Sequence, residues 1–377
     1  MRRLMLGLLA AATLGCDGAG GLRSLTIGES KPLSIGDRQL GPVRCYFTTP
    51  DKPPESSEIV AALVGFIRQA QSSIDVAGFE LDNQAITQAL VDAHQRGVKL
   101  RVVTETNYLG ESGITALKAA GVPIVDDGRD GALMHNKFMI FDRKSVWTGS
   151  MNFTENCAYR NNNNSVWIDD TRIAENYSTK FAWMFEQRKF GGLPSKTARI
   201  PHPSVTLRDG TVCENYFSTH DHVARHVIET VNEARSRIHF LAFSYTHDGI
   251  AKAMMSRAAA GVEVQGVFEK SQVAGGHSEF EKLRAAGPNV SVYLDANPRN
   301  MHHKVMVIDD ECVITGSFNF STNADKTNDE NLVILRNPEI ARRFEEEFQR
   351  VYGAAQKADG AGSVASRKRA HRAPDGP

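Results

Sequence analysis

Two stretches of the chain carry side chains able to do acid–base and phosphoryl chemistry, and both carry them at the same spacing. HNKFMIFDRKSVWTGSMN begins at His135, and HHKVMVIDDECVITGSFN begins at His302. Each obeys one rule: His, any residue, Lys, four residues, Asp, six residues, Gly-Ser, any residue, Asn. The positions are His135, Lys137, Asp142, Gly149, Ser150 and Asn152 in the first stretch. In the second they are His302, Lys304, Asp309, Gly316, Ser317 and Asn319. A lone His-x-Lys is a weak signal, whereas six fixed positions recurring without a gap is a strong one.

These groups suit a phosphodiester. Lysine donates to a non-bridging phosphate oxygen as a point charge, and Ser and Asn add neutral donors. An uncharged imidazole can attack phosphorus, and a second, protonated imidazole can hand a proton to the leaving oxygen. One histidine cannot easily do both jobs on opposite sides of an in-line displacement; two copies supply both. In a second step the acid, now neutral, deprotonates the water that cleaves the phosphohistidine. The chemistry calls for no metal or cofactor, because the lysines neutralise the phosphate charge.

The spacing also says which elements must position these groups. FMIF and VMVI read as strands, so His and Lys two apart project from one face. Ser and Asn arrive on the next strand after a turn, and the Gly before Ser allows close backbone approach to a ligand. The surrounding sequence is duplicated as well. Residues 72–105 match 236–269, each with an apolar strand, an amphipathic helix, a Gly at the helix end and a second strand. Ile86, Leu90 and Ala93 in one helix, and Ile250, Met254 and Ala258 in the other, recur at helical spacing. CYF at Cys45 recurs as NYF at Asn215, each followed by a helix, and a further helix closes each half. The expected fold is α/β: two similar α/β/α units with mostly parallel sheets, related by a pseudo-two-fold axis. The expected boundaries are 43–190 and 211–353 for the repeats, with a linker at 191–210 and a disordered basic tail at 354–377.

The duplicated motif resembles the hallmark of the phospholipase D superfamily, over roughly residues 43–353. The resemblance implies that family's fold and its covalent phosphohistidine mechanism. It implies catalytic roles for His135, Lys137, His302 and Lys304, substrate binding by Ser150, Asn152, Ser317 and Asn319, and supporting roles for Asp142 and Asp309. Glu330 lies 28 residues after His302 and matches the family's Glu that orients a catalytic histidine; the equivalent position after His135 is Asn163. A carboxylate fixes a ring tautomer and favours imidazolium, whereas an amide orients without adding charge. His302 is therefore expected to be the more readily protonated ring and the acid, with His135 the nucleophile. The reverse stays open, because a carboxylate also makes a better nucleophile. His303 faces away from His302 on a strand and reads as packing, and Trp147, Trp167 and Trp183 read as core.

Outside the repeats, MRRLMLGLLAAATLGC has the form of an export signal over residues 1–16, with Cys16 resembling a lipoprotein lipidation site, followed by a linker at 17–42. The expected location is the periplasm or cell surface, anchored to a membrane through that lipid. Cys45, Cys157, Cys213 and Cys312 remain as disulfides or buried thiols; no spacing supports a zinc site. The 44 basic and 44 acidic residues cancel, so net charge gives no push toward nucleic acid. The substrate is expected to be a phospholipid at a membrane surface, with a nuclease drawing on Arg143, Lys144, Arg160 and Lys326 as the alternative, and a non-catalytic phosphate- or lipid-binding module as a third reading. No protein partner is implied.

Overall fold

The computed structural model describes residues 41–192 and 199–370, with side chains as far as Gly360. The export signal, Cys16 and nearly all of the linker at 17–42 lie outside the described residues.

The first unit runs β1 (Val43–Phe47), α1 (Glu58–Gln69), β2 (Ser73–Gly78), α2 (Gln84–Gln95), β3 (Lys99–Thr104), α3 (Ser112–Ala119), β4 (Ile124–Asp126), β5 (Lys137–Phe141), β6 (Ser145–Gly149), α4 (Glu155–Tyr159), β7 (Asn164–Ile168) and α5 (Thr171–Phe185). The second runs β8 (Ser204–Thr206), β9 (Val212–Phe217), α6 (Val223–Asn232), β10 (Arg237–Ala242), α7 (Asp248–Ala259), β11 (Glu263–Phe268), α8 (Lys270–Val273), α9 (Phe280–Arg284), β12 (Val290–Leu294), β13 (Lys304–Ile308), β14 (Cys312–Gly316), α10 (Thr322–Lys326), β15 (Asn331–Arg336) and α11 (Pro338–Ala370). Strand β8 lies inside the stretch expected to be linker, where it pairs with β9 at the sheet edge.

The first sheet has the order β1-β7-β6-β5-β2-β3-β4 and the second β12-β11-β10-β13-β14-β15-β9-β8. Most strands of each sheet point one way: β1, β2, β3, β4 and β6 in the first, and β9, β10, β11, β12 and β14 in the second. The ladders themselves are mixed. Parallel pairing is confined to β2-β3-β4 and β10-β11-β12, the strands that helices connect. The motif strands β5-β6 and β13-β14 are hairpins, and a tight hairpin turn forces antiparallel pairing. All five residues of β5 and all five of β13 are buried, because both faces of each sheet are covered. This is why FMIF and VMVI show no polar alternation.

Helices α1, α2 and α3 cover the outer face of the first sheet, and α6, α7 and α9 that of the second. The middle core joins both units around α5 and α11. Tyr177 of α5 packs edge-on against Phe138 of β5 and Phe217 of β9, each at 5.0 Å, and Phe47 of β1 meets Phe344 of α11 at 5.0 Å. Polar pairs at the centre repeat across the pseudo-two-fold axis: Thr148 donates to Asn331 and Asn164 donates to Thr315, both at 2.6 Å. Helix α11 does not stop near Tyr352, two residues before the expected tail at 354–377, but runs to Ala370. The continuation is rich in Ala and other good helix formers, and Ala355 is fully buried against the second sheet's core. Residues 371–377 lie outside the described residues.

Candidate active site

Both motifs begin where a strand enters the sheet from the seam between the units. Met134 bridges Asp329, and Met301 bridges Asn162. The His135 N–H donates to the Asp329 carbonyl at 3.0 Å, and the His302 N–H to the Asn162 carbonyl at 2.9 Å. Each histidine is thereby pinned to the chain of the opposite unit, one residue before that unit's orienting group. Asp329 is itself fixed by Lys180 at 2.6 Å, Arg129 at 2.7 Å and the Gly191 N–H at 2.9 Å.

The orienting contacts consequently cross. Nδ1 of His135 lies 2.8 Å from the Glu330 carboxylate, and Nδ1 of His302 lies 3.0 Å from Oδ1 of Asn163. The motif alone pairs Glu330 with His302 inside one repeat; in the structure Glu330 serves His135. The cause is the seam just described, which places the residue after Asp329 beside His135 and the residue after Asn162 beside His302. The Asn163 amide donates to the Cys157 carbonyl at 2.9 Å, so its oxygen faces His302, Nδ1 carries the proton, and Nε2 is left for chemistry.

Each lysine folds back on its own half-site. Lys137 donates to the His135 carbonyl at 2.8 Å and Lys304 to the His302 carbonyl at 2.9 Å. Each ammonium also lies 4.8 Å from the ring centre of a phenylalanine, Phe79 or Phe243. Those rings pack edge-on against His135 and His302 at 4.6 and 4.5 Å. Sequence reasoning missed this pair, although Phe79 and Phe243 occupy equivalent positions in the aligned repeats.

All four groups are at least nine-tenths buried. Burial, reinforced by both lysines, holds each imidazole well below its usual range. Burial lowers Lys137 to about 8 against the pull of Glu330 and Glu80, and burial with the Lys137 charge holds Lys304 well below its ordinary value. Burial likewise pushes Glu330 up to about 8, opposed by Lys137, the Ser317 hydroxyl and Lys304. The result is two buried lysines whose charges, once both are protonated, oppose one another, a pair that an oxyanion would satisfy.

The serines stand behind the histidines. Ser150 donates to Oδ1 of Asn163 at 2.9 Å, and Ser317 to Glu330 at 2.6 Å. Each hydroxyl also accepts the N–H of the following strand, from Asn164 or Asn331, at 3.0 Å. A serine has one proton to give, so either could donate to phosphate only by releasing its orienting group. The glycines before them make the close approach, to backbone and not to a ligand: a Cβ on Gly149 or Gly316 would fall 2.3 Å from the carbonyl of Asn164 or Asn331. Nδ2 of Asn152 donates to Glu80, and Oδ1 of both Asn152 and Asn319 is buried without a partner among the described residues.

Asp142 and Asp309 lie at the far ends of β5 and β13. Asp142 accepts three backbone N–H groups from residues 71–73 and the Ser72 hydroxyl, and Asp309 those of residues 235–237 and the Ser236 hydroxyl. Arg143 and Lys144 share that far end, away from the histidines. His303 is not simple packing: it bridges Asn164 at 3.0 Å and Glu347 at 2.8 Å within the seam. Trp147 and Trp183 are core, whereas Trp167 is only partly buried and stacks on Phe66. The four cysteines outside the N-terminal stretch are free and buried.

A family model described as "Cardiolipin synthase, PLD-like domain" matches residues 63–185 and again 227–352. A mitochondrial cardiolipin hydrolase of Xenopus laevis is 31% identical over 159 residues, 41% of this chain and 73% of that protein. A phospholipase D of Rickettsia prowazekii (strain Madrid E) is 32% identical over 156 residues, 41% of this chain and 73% of that protein. The crystal structure of a phosphatidylserine synthase from Haemophilus influenzae Rd KW20 shares the fold at 12% identity, with a TM-score of 0.63 over 78% of this chain and 84% of that one. With two matched domains, relatives named as hydrolases of phosphodiester lipids and this site geometry, the chain belongs to the phospholipase D superfamily and is an enzyme acting on phosphodiester bonds.

Proposed function

We propose that this enzyme cleaves phospholipid head groups, with His135 as the nucleophile and His302 as the acid and base. One observation carries the assignment: the carboxylate of Glu330 backs His135, and a neutral amide backs His302. This keeps the roles expected from the sequence but reverses the reason. Burial pushes Glu330 up to about 8, and the positive charge that the His135 ring acquires on bonding to phosphorus favours its ionised form; once ionised and accepting Nδ1–H, the carboxylate makes Nε2 more nucleophilic and stabilises that charge. A protonated His302 backed only by Asn163 gives up its proton more readily than one backed by a carboxylate.

In the first step Nε2 of His135 forms a bond to phosphorus, and the bond from phosphorus to the head-group oxygen breaks. That oxygen takes the proton from Nε2 of His302 and leaves as the free alcohol. Lys137 and Lys304 neutralise the charge on the non-bridging oxygens. In the second step Nε2 of His302 takes a proton from water, the hydroxide oxygen bonds to phosphorus, and the N–P bond breaks, releasing phosphatidic acid and neutral His135.

The lipid reading is supported by relatives named phospholipase D and cardiolipin hydrolase and by the export signal ending at Cys16. An anchored, periplasmic or cell-surface enzyme would meet phospholipid at high local concentration. Purified protein assayed with chelator against phosphatidylcholine, cardiolipin and plasmid DNA, beside His135→Ala and His302→Ala, tests the reading. Release of head-group alcohol, lost in both variants, is expected. Cleavage of DNA without cleavage of lipid would replace the lipid reading by a nuclease, and activity surviving in both variants would remove the mechanism.

A further inference from the structure

The two half-sites differ at a residue that the mechanism leaves unused. Glu80 follows Phe79 at the end of β2, and the equivalent residue after Phe243 is Ser244. Glu80 is half-buried, accepts from Nδ2 of Asn152, and receives the Tyr108 hydroxyl, which its charge helps to push up to about 12 behind the larger effect of burial. Among the described residues it has no ion pair with lysine or arginine. The lysine of its own half-site, Lys137, is directed at the His135 carbonyl and the Phe79 ring. A half-buried carboxyl group held by an amide and a phenol, with the Lys137 ammonium near but bonded elsewhere, keeps acceptor capacity that a ligand cation can fill.

A second acceptor points the same way. Asn152 is 5% exposed, and its Oδ1 has no partner among the described residues, while its Nδ2 is turned to Glu80. Phe79 and Tyr108 meet edge-on at 4.8 Å beside these oxygens and add electron-rich faces. Glu111, bonded to the Leu81 N–H at 2.5 Å, is lifted to about 7 by burial and then by the charges of Glu80 and Asp82, so this rim is electronegative.

We propose that Glu80 and Oδ1 of Asn152 form a subsite for a protonated primary amine on an ester arm of the phosphodiester. A quaternary ammonium has no N–H for Asn152; a primary one can serve both acceptors. In an aminoethyl ester the gauche O–C–C–N turn brings the ammonium back alongside the non-bridging oxygens, and the Phe79 ring joins the two groups: it contacts the Lys137 ammonium and directly precedes Glu80. The subsite rests on the phosphodiester reading of the cleft but not on the substrate being a lipid. It also makes the first half-site selective and leaves the second, with Ser244 and Asn319, indifferent to substrate charge.

Binding of 2-aminoethyl phosphate and of ethyl phosphate to the full chain, measured by titration calorimetry, tests this without requiring turnover. The wild-type protein should bind the amine about tenfold more tightly, the scale of one charge-assisted hydrogen bond over a neutral contact. Glu80→Gln keeps an acceptor for Asn152 and Tyr108, and Glu80→Ser copies the second half-site; both should erase the preference. Above the amine's own pKa the preference should vanish in the wild type as well. Equal or absent binding of the two phosphates by the wild type overturns the subsite. So does a preference that survives in Glu80→Gln, or an equal loss for both ligands, which would leave Glu80 only a positioning residue for Asn152. Failure of the lipid reading would appear separately, in the turnover assay.

Discussion

Replacing Glu330 by glutamine removes one charge from the site and very little else. The second half shows that an amide can fill the position: Oδ1 of Asn163 takes both the Ser150 hydroxyl and Nδ1–H of His302. In Glu330→Gln the introduced amide oxygen can treat Ser317 and His135 in the same way, so the tautomer of His135 survives. What is lost is the ionic character of the 2.8 Å contact to Nδ1. A hydrogen bond to a charged group contributes about 1.5–3 kcal/mol and a neutral one about 0.5–1.5, so the nucleophile loses about 1–2 kcal/mol of support as its ring becomes cationic. At roughly 1.4 kcal/mol per tenfold, phosphoenzyme formation should slow about 5–30-fold. Folding stability should change little, since a buried carboxylate costly to ionise is replaced by a neutral isostere. Rapid-quench kinetics with a chromogenic phosphodiester isolate this step from breakdown of the intermediate. A burst rate equal to that of the wild type would refute the carboxylate's role, and a loss beyond about 10⁴-fold would mean that Glu330 acts directly and not through His135.

Asn163→Asp places a charge 3.0 Å from Nδ1 of His302 and should raise the limb of the kcat–pH profile that reports the acid by about one unit or more, with a stability cost of about 2–3 kcal/mol for the lost donor to Cys157; an unmoved limb would argue against His302 as the acid. Gly316→Ala puts a Cβ 2.3 Å from the Asn331 carbonyl at a φ of +145°, so it should destabilise by about 2–4 kcal/mol in urea titrations and abolish turnover through displaced Ser317 and Glu330. Stability should fall from pH 7 to pH 5. His135 and His302 are held below their ordinary 6.5, and His220 at about 3, so the unfolded chain takes up protons that the folded chain refuses. Glu330, raised to about 8, stays protonated in the fold and offsets one of the three, so from these groups the slope is near zero at pH 7 and approaches about 2.7 kcal/mol per pH unit only near pH 5; a urea midpoint that holds or rises between pH 6 and pH 5 would contradict it.

Much of the site is legible in the chain because strand period and turn length are local. His135 with Lys137, and His302 with Lys304, stand where the motif strands imply, and the helices carrying Ile86–Leu90–Ala93 and Ile250–Met254–Ala258 bury those residues. The crossing of Glu330 and Asn163 is not local. It follows from backbone pairing between Met134 and Asp329 and between Met301 and Asn162, and nothing in one repeat announces that its partner group belongs to the other. The roles of Ser150 and Ser317 are obscured for a related reason: a hydroxyl beside a phosphate site and one behind a histidine share the same spacing. The first turn of the expected tail is tied down because Ala355 is buried in the middle core, a contact that composition does not show. Glu80 is visible as a mismatch with Ser244 between aligned repeats, but its meaning needs Asn152 and Tyr108 around it.

The most direct measurement is to stop the reaction with a phosphorus-labelled diester in acid-free conditions, digest the protein, and locate the phosphohistidine. Label on His135 in the wild type, absent from His135→Ala, is the expected result. Label on His302, or none under conditions of turnover, would contradict the assignment that the crossed Glu330 contact supports.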